Sequence, residues 1–143
     1  MKIGIGCDHA GYELKELLKS KLSEMGHEVE DCGTHSKDST DYPDYAHPVA
    51  SGVESGSFEK GVLICGSGNG ISMTANKHAG VRAALCWTKE IAELARLHNN
   101  ANILSLPARY IAKEQGVEIL ETFFSTDFEG GRHQNRVDKI AFC

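Results

Sequence analysis

The chain predicts an α/β fold, a parallel sheet covered by helices on both faces, and three observations carry that reading. Short apolar runs alternate with amphipathic stretches along all 143 residues. The run Gly61-Val62-Leu63-Ile64-Cys65 is apolar, opens on a glycine and is followed by one, so it reads as a buried strand. The glycine-rich loop Gly66-Ser67-Gly68-Asn69-Gly70 comes next and leads into a helical segment from Ile71 to His78. Alternation of this kind gives parallel strands buried between helical layers.

The elements run in order. Lys2 to Cys7 is short, apolar at alternate positions and punctuated by glycine, a first strand. From Gly11 to Met25 the apolar residues Leu14, Leu17, Leu18, Leu22 and Met25 form one face of a helix, with Gly26 as C-cap. Glu28 to Cys32 is a second strand whose main apolar residue is Val29, which places it near a sheet edge. Ser36 to Pro43 is a loop, and Tyr45, Val49, Ala50 and Val53 mark a helix that frays at Ser55-Gly56-Ser57. After the Cys65 strand comes a strand from Val81 to Cys86. Thr88 then N-caps a helix carrying Ile91, Leu94, Ala95 and Leu97. Ala101 to Leu106 is the fifth strand, stopped by Pro107. Tyr110 to Phe124 is helical, with Ile111, Val117, Leu120 and Phe124 as core residues and Gly116 a weak spot, and a short helix within Gly130 to Phe142 ends the chain.

The length suits one domain, residues 1–143, with no repeat, linker or low-complexity segment. A net charge of −5 with acidic residues spread along the chain argues against a nucleic-acid groove. Five cysteines without a Cys-x-x-Cys argue against a disulfide framework or a zinc knuckle. Cys7, Cys32, Cys86 and Cys143 are expected to be buried as small apolar residues. No leader and no membrane-length apolar run stand out, so the expected setting is a reducing cytoplasm.

Polar clusters fall where strands and helices end. Asp8-His9-Ala10-Gly11 comes after the first strand, the Cys65 loop after the third, and His98-Asn99-Asn100 closes the helix before the fifth. In a parallel sheet the first two share the carboxyl edge, where open α/β sheets place ligands, and His98 is expected on the same rim. Loop N–H groups and a helix amino end make an anion site and favour thiolate over thiol. A base beside an anion hole suits proton abstraction next to a carbonyl. Each residue also has a plainer reading: Cys65 as a small buried hydrophobe, Asp8 as an N-cap, His98 as a charge against a helix dipole. Arg132 and Arg136 stand four apart on one helical face, and Arg109 comes after the fifth strand. They offer a phosphate grip or simply a solvated face. Two rival motifs fail at Ile71. It stands where a low-molecular-weight phosphatase needs arginine and where a dinucleotide fingerprint needs its third glycine.

Taken together, Gly-Cys-Asp-His-Ala-Gly, Cys-Gly-Ser-Gly-Asn-Gly, His-Asn-Asn-Ala-Asn and Gly-Arg-His-x-x-Arg resemble the type B ribose-5-phosphate isomerases. Allose-6-phosphate isomerase and the galactose-6-phosphate isomerase subunits are their relatives. The resemblance runs in order from residue 1 to about 140. It implies a Rossmann-like three-layer α/β/α sandwich with a mainly parallel five-stranded sheet. It also implies an aldose–ketose isomerase acting on a sugar phosphate without metal or organic cofactor, as a homodimer or dimer of dimers with the pocket built across the interface. By resemblance Cys65 is the general base between C1 and C2, and Gly66, Ser67, Gly68, Asn69 and Gly70 hold the enediolate oxygen, with Ser67 replacing a common threonine. His98 helps to open the furanose ring, Asn99 contacts the sugar, Asp8 and His9 contact the sugar and its phosphate end, and Tyr42, with Asp41 beside it, is a further pocket residue. Arg109, Arg132 and Arg136 bind phosphate or substrate, and His98, Asn99 or Arg109 can come from the partner chain. A related branch uses a glutamate shortly after the loop, and nothing acidic lies between Ile71 and Asn76 here. A six-carbon substrate, a non-catalytic anion-binding module and a partner-subunit role remain as alternatives.

Overall fold

The computed structural model describes residues 1–141; Phe142, where the last helix was expected to end, and Cys143 lie outside the described residues. The strands are β1 (Lys2–Cys7), β2 (Glu28–Asp31), β3 (Lys60–Cys65), β4 (Ala83–Leu85) and β5 (Ile103–Pro107). The helices are α1 (Tyr12–Glu24), α2 (Pro43–Ser55), α3 (Asn69–Ala75), α4 (Lys89–Leu97), α5 (Lys113–Ser125) and α6 (Arg132–Asp138), with a single 3₁₀ turn at His9–Gly11. The sheet order is β2-β1-β3-β5-β4, and every pairing is parallel. This is the three-layer arrangement the sequence predicts, with β2 at an edge as its single main apolar residue suggested.

Side-chain alternation sorts the strands between two cores. Ile3, Ile5, Val62, Ile64, Leu104 and Leu106 pack with Leu14, Leu18 and Leu22 of α1 and Ile119, Leu120 and Phe123 of α5. Leu63, Cys65 and Ile103 point the other way, to Ala46, Val49 and Ala50 of α2 and Ile71 and Ala75 of α3. Glycine in β1 lets α2 sit close, because a Cβ on Gly6 would lie 2.7 Å from the Tyr45 carbonyl oxygen.

Several boundaries differ from expectation for local reasons. The 3₁₀ turn comes first because the Asp8 carboxylate accepts the Ala10 N–H at 3.0 Å, so α1 starts at Tyr12. Thr88 caps α4 as predicted, its Oγ1 accepting from Ile91 N–H at 3.2 Å. β4 shrinks to three residues at the open edge of the sheet. There the Asn76 side chain donates to the Ala83 carbonyl at 3.0 Å and accepts its N–H at 2.8 Å, so an amide stands where another strand would pair. α5 begins at Lys113 instead of Tyr110, its Ala112 N–H capped by Gln115 Oε1 at 2.8 Å. Leu17, placed on the core face of α1, is exposed, whereas Lys15 is fully buried with its ammonium 2.6 Å from Asp31 Oδ2.

Candidate active site

Cys65 ends β3 at the carboxyl edge, 4% exposed. Its sulfur accepts the Gly68 N–H at 3.2 Å, a donor that a negatively charged sulfur holds more strongly than a neutral thiol. The chain can turn back so tightly because Gly68 has φ +76. Ser67 Oγ accepts the Asn69 N–H at 3.2 Å and stiffens the same turn. Burial pushes Cys7 and Cys86 up to about 12 and Cys32, half-buried, to about 11.

Neighbouring strands supply the walls. Register places Cys65 beside Pro107 and Ile64 beside Cys7, so the chain segments leaving β1 and β5 meet the Cys65 loop. Ala108 N–H donates to the Cys65 carbonyl at 2.9 Å and Arg109 N–H to the Gly66 carbonyl at 3.0 Å. The Arg109 guanidinium lies against Gly66, where an added Cβ would be 3.1 Å from Nη1. Asp8 N–H donates to the Ile64 carbonyl at 3.2 Å, and its buried carboxylate both caps the 3₁₀ turn and faces the cleft. Tyr42 covers Gly70 from the other side. The resulting cleft is about 360 Å³ and is lined by Asp8, Tyr42, Cys65, Gly66, Ser67, Gly70, Arg109 and Tyr110. His9 stands just behind this wall, its Nδ1 accepting the Thr40 N–H at 3.2 Å and so fixing the loop that ends at Tyr42.

His98 lies elsewhere. Within one chain the expectation that it shares the rim of Cys65 is wrong. A helix joining two parallel strands must run back against them, so the end of α4 reaches the amino edge, where Ile103 pairs with Gly61. Four residues of strand, about 13 Å, separate that edge from Cys65. Here His98 stacks on His133 of α6, centroids 4.3 Å apart and planes 14° apart. The turn after it is held from below. Asn100 has φ +46; its carbonyl accepts from Arg82 Nε at 2.9 Å, and its side-chain oxygen accepts from the buried Arg96 Nη1 at 2.9 Å. Asn99 is exposed beside a second cleft of about 630 Å³ that includes Arg82, His78 and Ile140. Arg132 and Arg136 are exposed on α6, beside His98 through the stacked His133.

The family described as ribose/galactose isomerase matches residues 3–140. The chain belongs to that family. Among its relatives, ribose-5-phosphate isomerase B of Escherichia coli (strain K12) is 46% identical over 139 residues, 97% of this chain and 93% of the relative. The crystal structure of a ribose 5-phosphate isomerase from Thermotoga maritima has a TM-score of 0.95 at 52% identity, covering 98% of this chain and 97% of that one. Ribose-5-phosphate isomerase B from Mycoplasma genitalium, solved with bound ribulose 5-phosphate, has a TM-score of 0.94 at 42% identity, covering 97% and 93%.

The sequence-predicted residues of this family member therefore fall into two groups. Asp8, Tyr42, Cys65, the glycine loop and Arg109 come together, with His9 supporting them. His98, Asn99, Arg132 and Arg136 form a second group at the opposite edge. Sequence reading missed Tyr110, which it assigned to a helix; its place next to Arg109 after a strand end was the available signal. It also passed over Glu129, and over His133 except as a motif letter, because their partner His98 is some thirty residues away.

Proposed function

We propose that this chain interconverts D-ribose 5-phosphate and D-ribulose 5-phosphate through an enediolate, with Cys65 as the general base. The observation that carries the proposal is the Cys65 sulfur held at 3.2 Å by the Gly68 N–H, inside a cleft walled by Asp8, Ser67 and Arg109. An aldose–ketose shift removes a weakly acidic C–H proton, so it needs a base and donors for the developing oxyanion. Cys65 takes the proton from C2 of the aldose and returns it to C1, while the hydroxyl proton passes from O2 to O1. N–H groups of the Gly66–Gly70 loop, whose first helical turn leaves donors without intrahelical partners, receive the oxyanion. The proton transfer balances without metal or organic cofactor. A relative holding ribulose 5-phosphate supports the pentose as substrate.

The pocket is completed by a second copy of the chain. His98, which opens the furanose ring, and Asn99, Arg132 and Arg136, which hold the sugar and its phosphate, come from the partner and meet Cys65, Asp8, His9, Tyr42 and Arg109. Exposed apolar side chains support such an interface: Tyr42 and Tyr110 beside the cleft, with Met73 and Trp87 also uncovered. A homodimer is the smallest assembly that meets this need. Free cysteines at positions 7, 32, 65 and 86 fit a reducing cytoplasm, and no helix among the described residues is long and apolar enough to cross a membrane.

Steady-state turnover of ribose 5-phosphate beside allose 6-phosphate, in EDTA, tests the proposal. Faster conversion of the pentose is expected. Preference for the hexose would move the substrate, and silence on both would overturn the isomerase reading.

A further inference from the structure

The amino-edge group gathers three donor atoms, and the isomerase reading gives a role to only one of the three residues, His98. His133 is 5% exposed, and its Nε2 has no hydrogen-bond partner. A buried imidazole nitrogen left unpaired is costly, and its usual occupants are a donor, a water or a metal ion. Glu129 Oε1 stands 3.9 Å from that nitrogen, beyond hydrogen-bond reach. His98, Glu129 and His133 each bring one donor atom to within 4.8 Å of the others. We propose that His98, Glu129 and His133 form a binding site for a divalent transition-metal ion of the zinc type, whose occupation blocks the isomerase.

The donor set suits zinc. Two imidazoles and a carboxylate leave a fourth position open, and ligation at about 2.0–2.2 Å requires the His98 ring to turn off its stack on His133, so that both in-plane lone pairs meet at one point. Two of them sit where the chain can close. His98 is the C-cap of α4, half-buried, and Glu129 is exposed just before Gly130 and Gly131, which have φ +74 and φ +56. The backbone already ties the two segments together, since Glu129 N–H donates to the Leu97 carbonyl at 3.1 Å. Arg132 opposes a second cation here, and the Glu129 carboxylate is the ligand whose charge offsets it. The blocking effect rests on the functional reading above: a metal on His98 occupies the nitrogen needed at the sugar ring.

Calorimetric titration of the purified protein with zinc chloride, without substrate, tests the site. One ion per chain is expected. Glu129→Gln, on an exposed side chain that should not disturb folding, is expected to weaken binding at least about tenfold, and His133→Gln to abolish it. Cys65→Ala should bind zinc like the parent. Equal binding by the parent and Glu129→Gln, or loss of binding in Cys65→Ala, would overturn the site, the latter by assigning the ion to the thiol. In the turnover assay, zinc should inhibit the parent, EDTA should reverse the inhibition, and Glu129→Gln should keep its basal rate and lose the sensitivity. Stoichiometric binding with undiminished turnover would overturn the blocking role. Because binding is read without substrate, a protein that binds zinc at these residues but turns over no sugar would support the site while refuting the isomerase reading.

Discussion

At the carboxyl edge of the sheet, Cys65 is 4% exposed and takes its hydrogen bond from a backbone N–H three residues on. At the amino edge, Asn99, Arg132 and Arg136 are exposed, and His98 rests on another side chain, His133. The first group is built by strand register and a glycine turn, so it is complete within one chain as far as backbone can make it. The second is built from long side chains at helix ends, with nothing in its own chain to act upon. The contrast amounts to a division of labour. In the proposed mechanism the rigid edge supplies the base and the oxyanion donors, which need placement within tenths of an ångström. The exposed edge, in the same proposal, supplies the ring-opening histidine and the phosphate grip, which act across an interface.

Substitutions should separate the two edges by the kinetic parameter they change. Cys65→Ala removes the proposed base and should lower kcat by about 10³–10⁴-fold while leaving sugar-phosphate binding measurable by calorimetry. A near-normal kcat would break the assignment. Gly68→Ala comes next. Its Cβ would run into Leu85 Cδ1 at a φ of +76, so the turn must deform and carry the N–H away from the sulfur. A loss of about 10²–10³-fold in kcat is expected, read by steady-state kinetics on protein shown folded by circular dichroism. Arg136→Ala belongs to the other edge and should raise KM for the sugar phosphate about 10–100-fold with kcat little changed. A loss confined to kcat would mean that this arginine does not grip the phosphate.

The smallest effect concerns acid stability at the carboxyl edge. Burial by itself would raise the Asp31 carboxyl, but hydrogen bonds from Lys15, Lys19 and the Gly33 N–H overcome it and hold the pKa at about 2. Because the folded value lies below the unfolded one, the stabilisation is present above pH ~4 and is lost as pH falls toward about 2, on the order of 2 kcal/mol. Urea unfolding midpoints measured from pH 5 down to pH 2 should decline across that window. A flat profile would show that the Lys15–Asp31 pair does not couple to folding.

Much of this was legible in the chain because its signals are local. Apolar runs such as Gly61 to Cys65 and the face Leu14, Leu18, Leu22 read directly as strand and helix, and sparse Val29 marked an edge. The Cys65 turn was legible for the same reason: thiol, glycines and strand end are contiguous. Lys15 was not, because a lysine in a helix reads as surface until its partner Asp31, sixteen residues on, is known to lie beneath it. Nor was the stacking of His98 on His133, which depends on where α6 docks. The placement of His98 was implicit and overlooked, since a helix between parallel strands must end at their amino edge.

The central claim, that each working pocket joins the carboxyl edge of one chain to the amino edge of another, is tested most directly by mixing two inactive variants. Cys65→Ala and His98→Ala are each expected to be inactive alone. Unfolded together and refolded, random pairing makes half of the dimers mixed, each with one intact pocket, so turnover should return to about a quarter of the parent's. Mixtures as silent as the separate variants would contradict the shared pocket and place the reaction within a single chain.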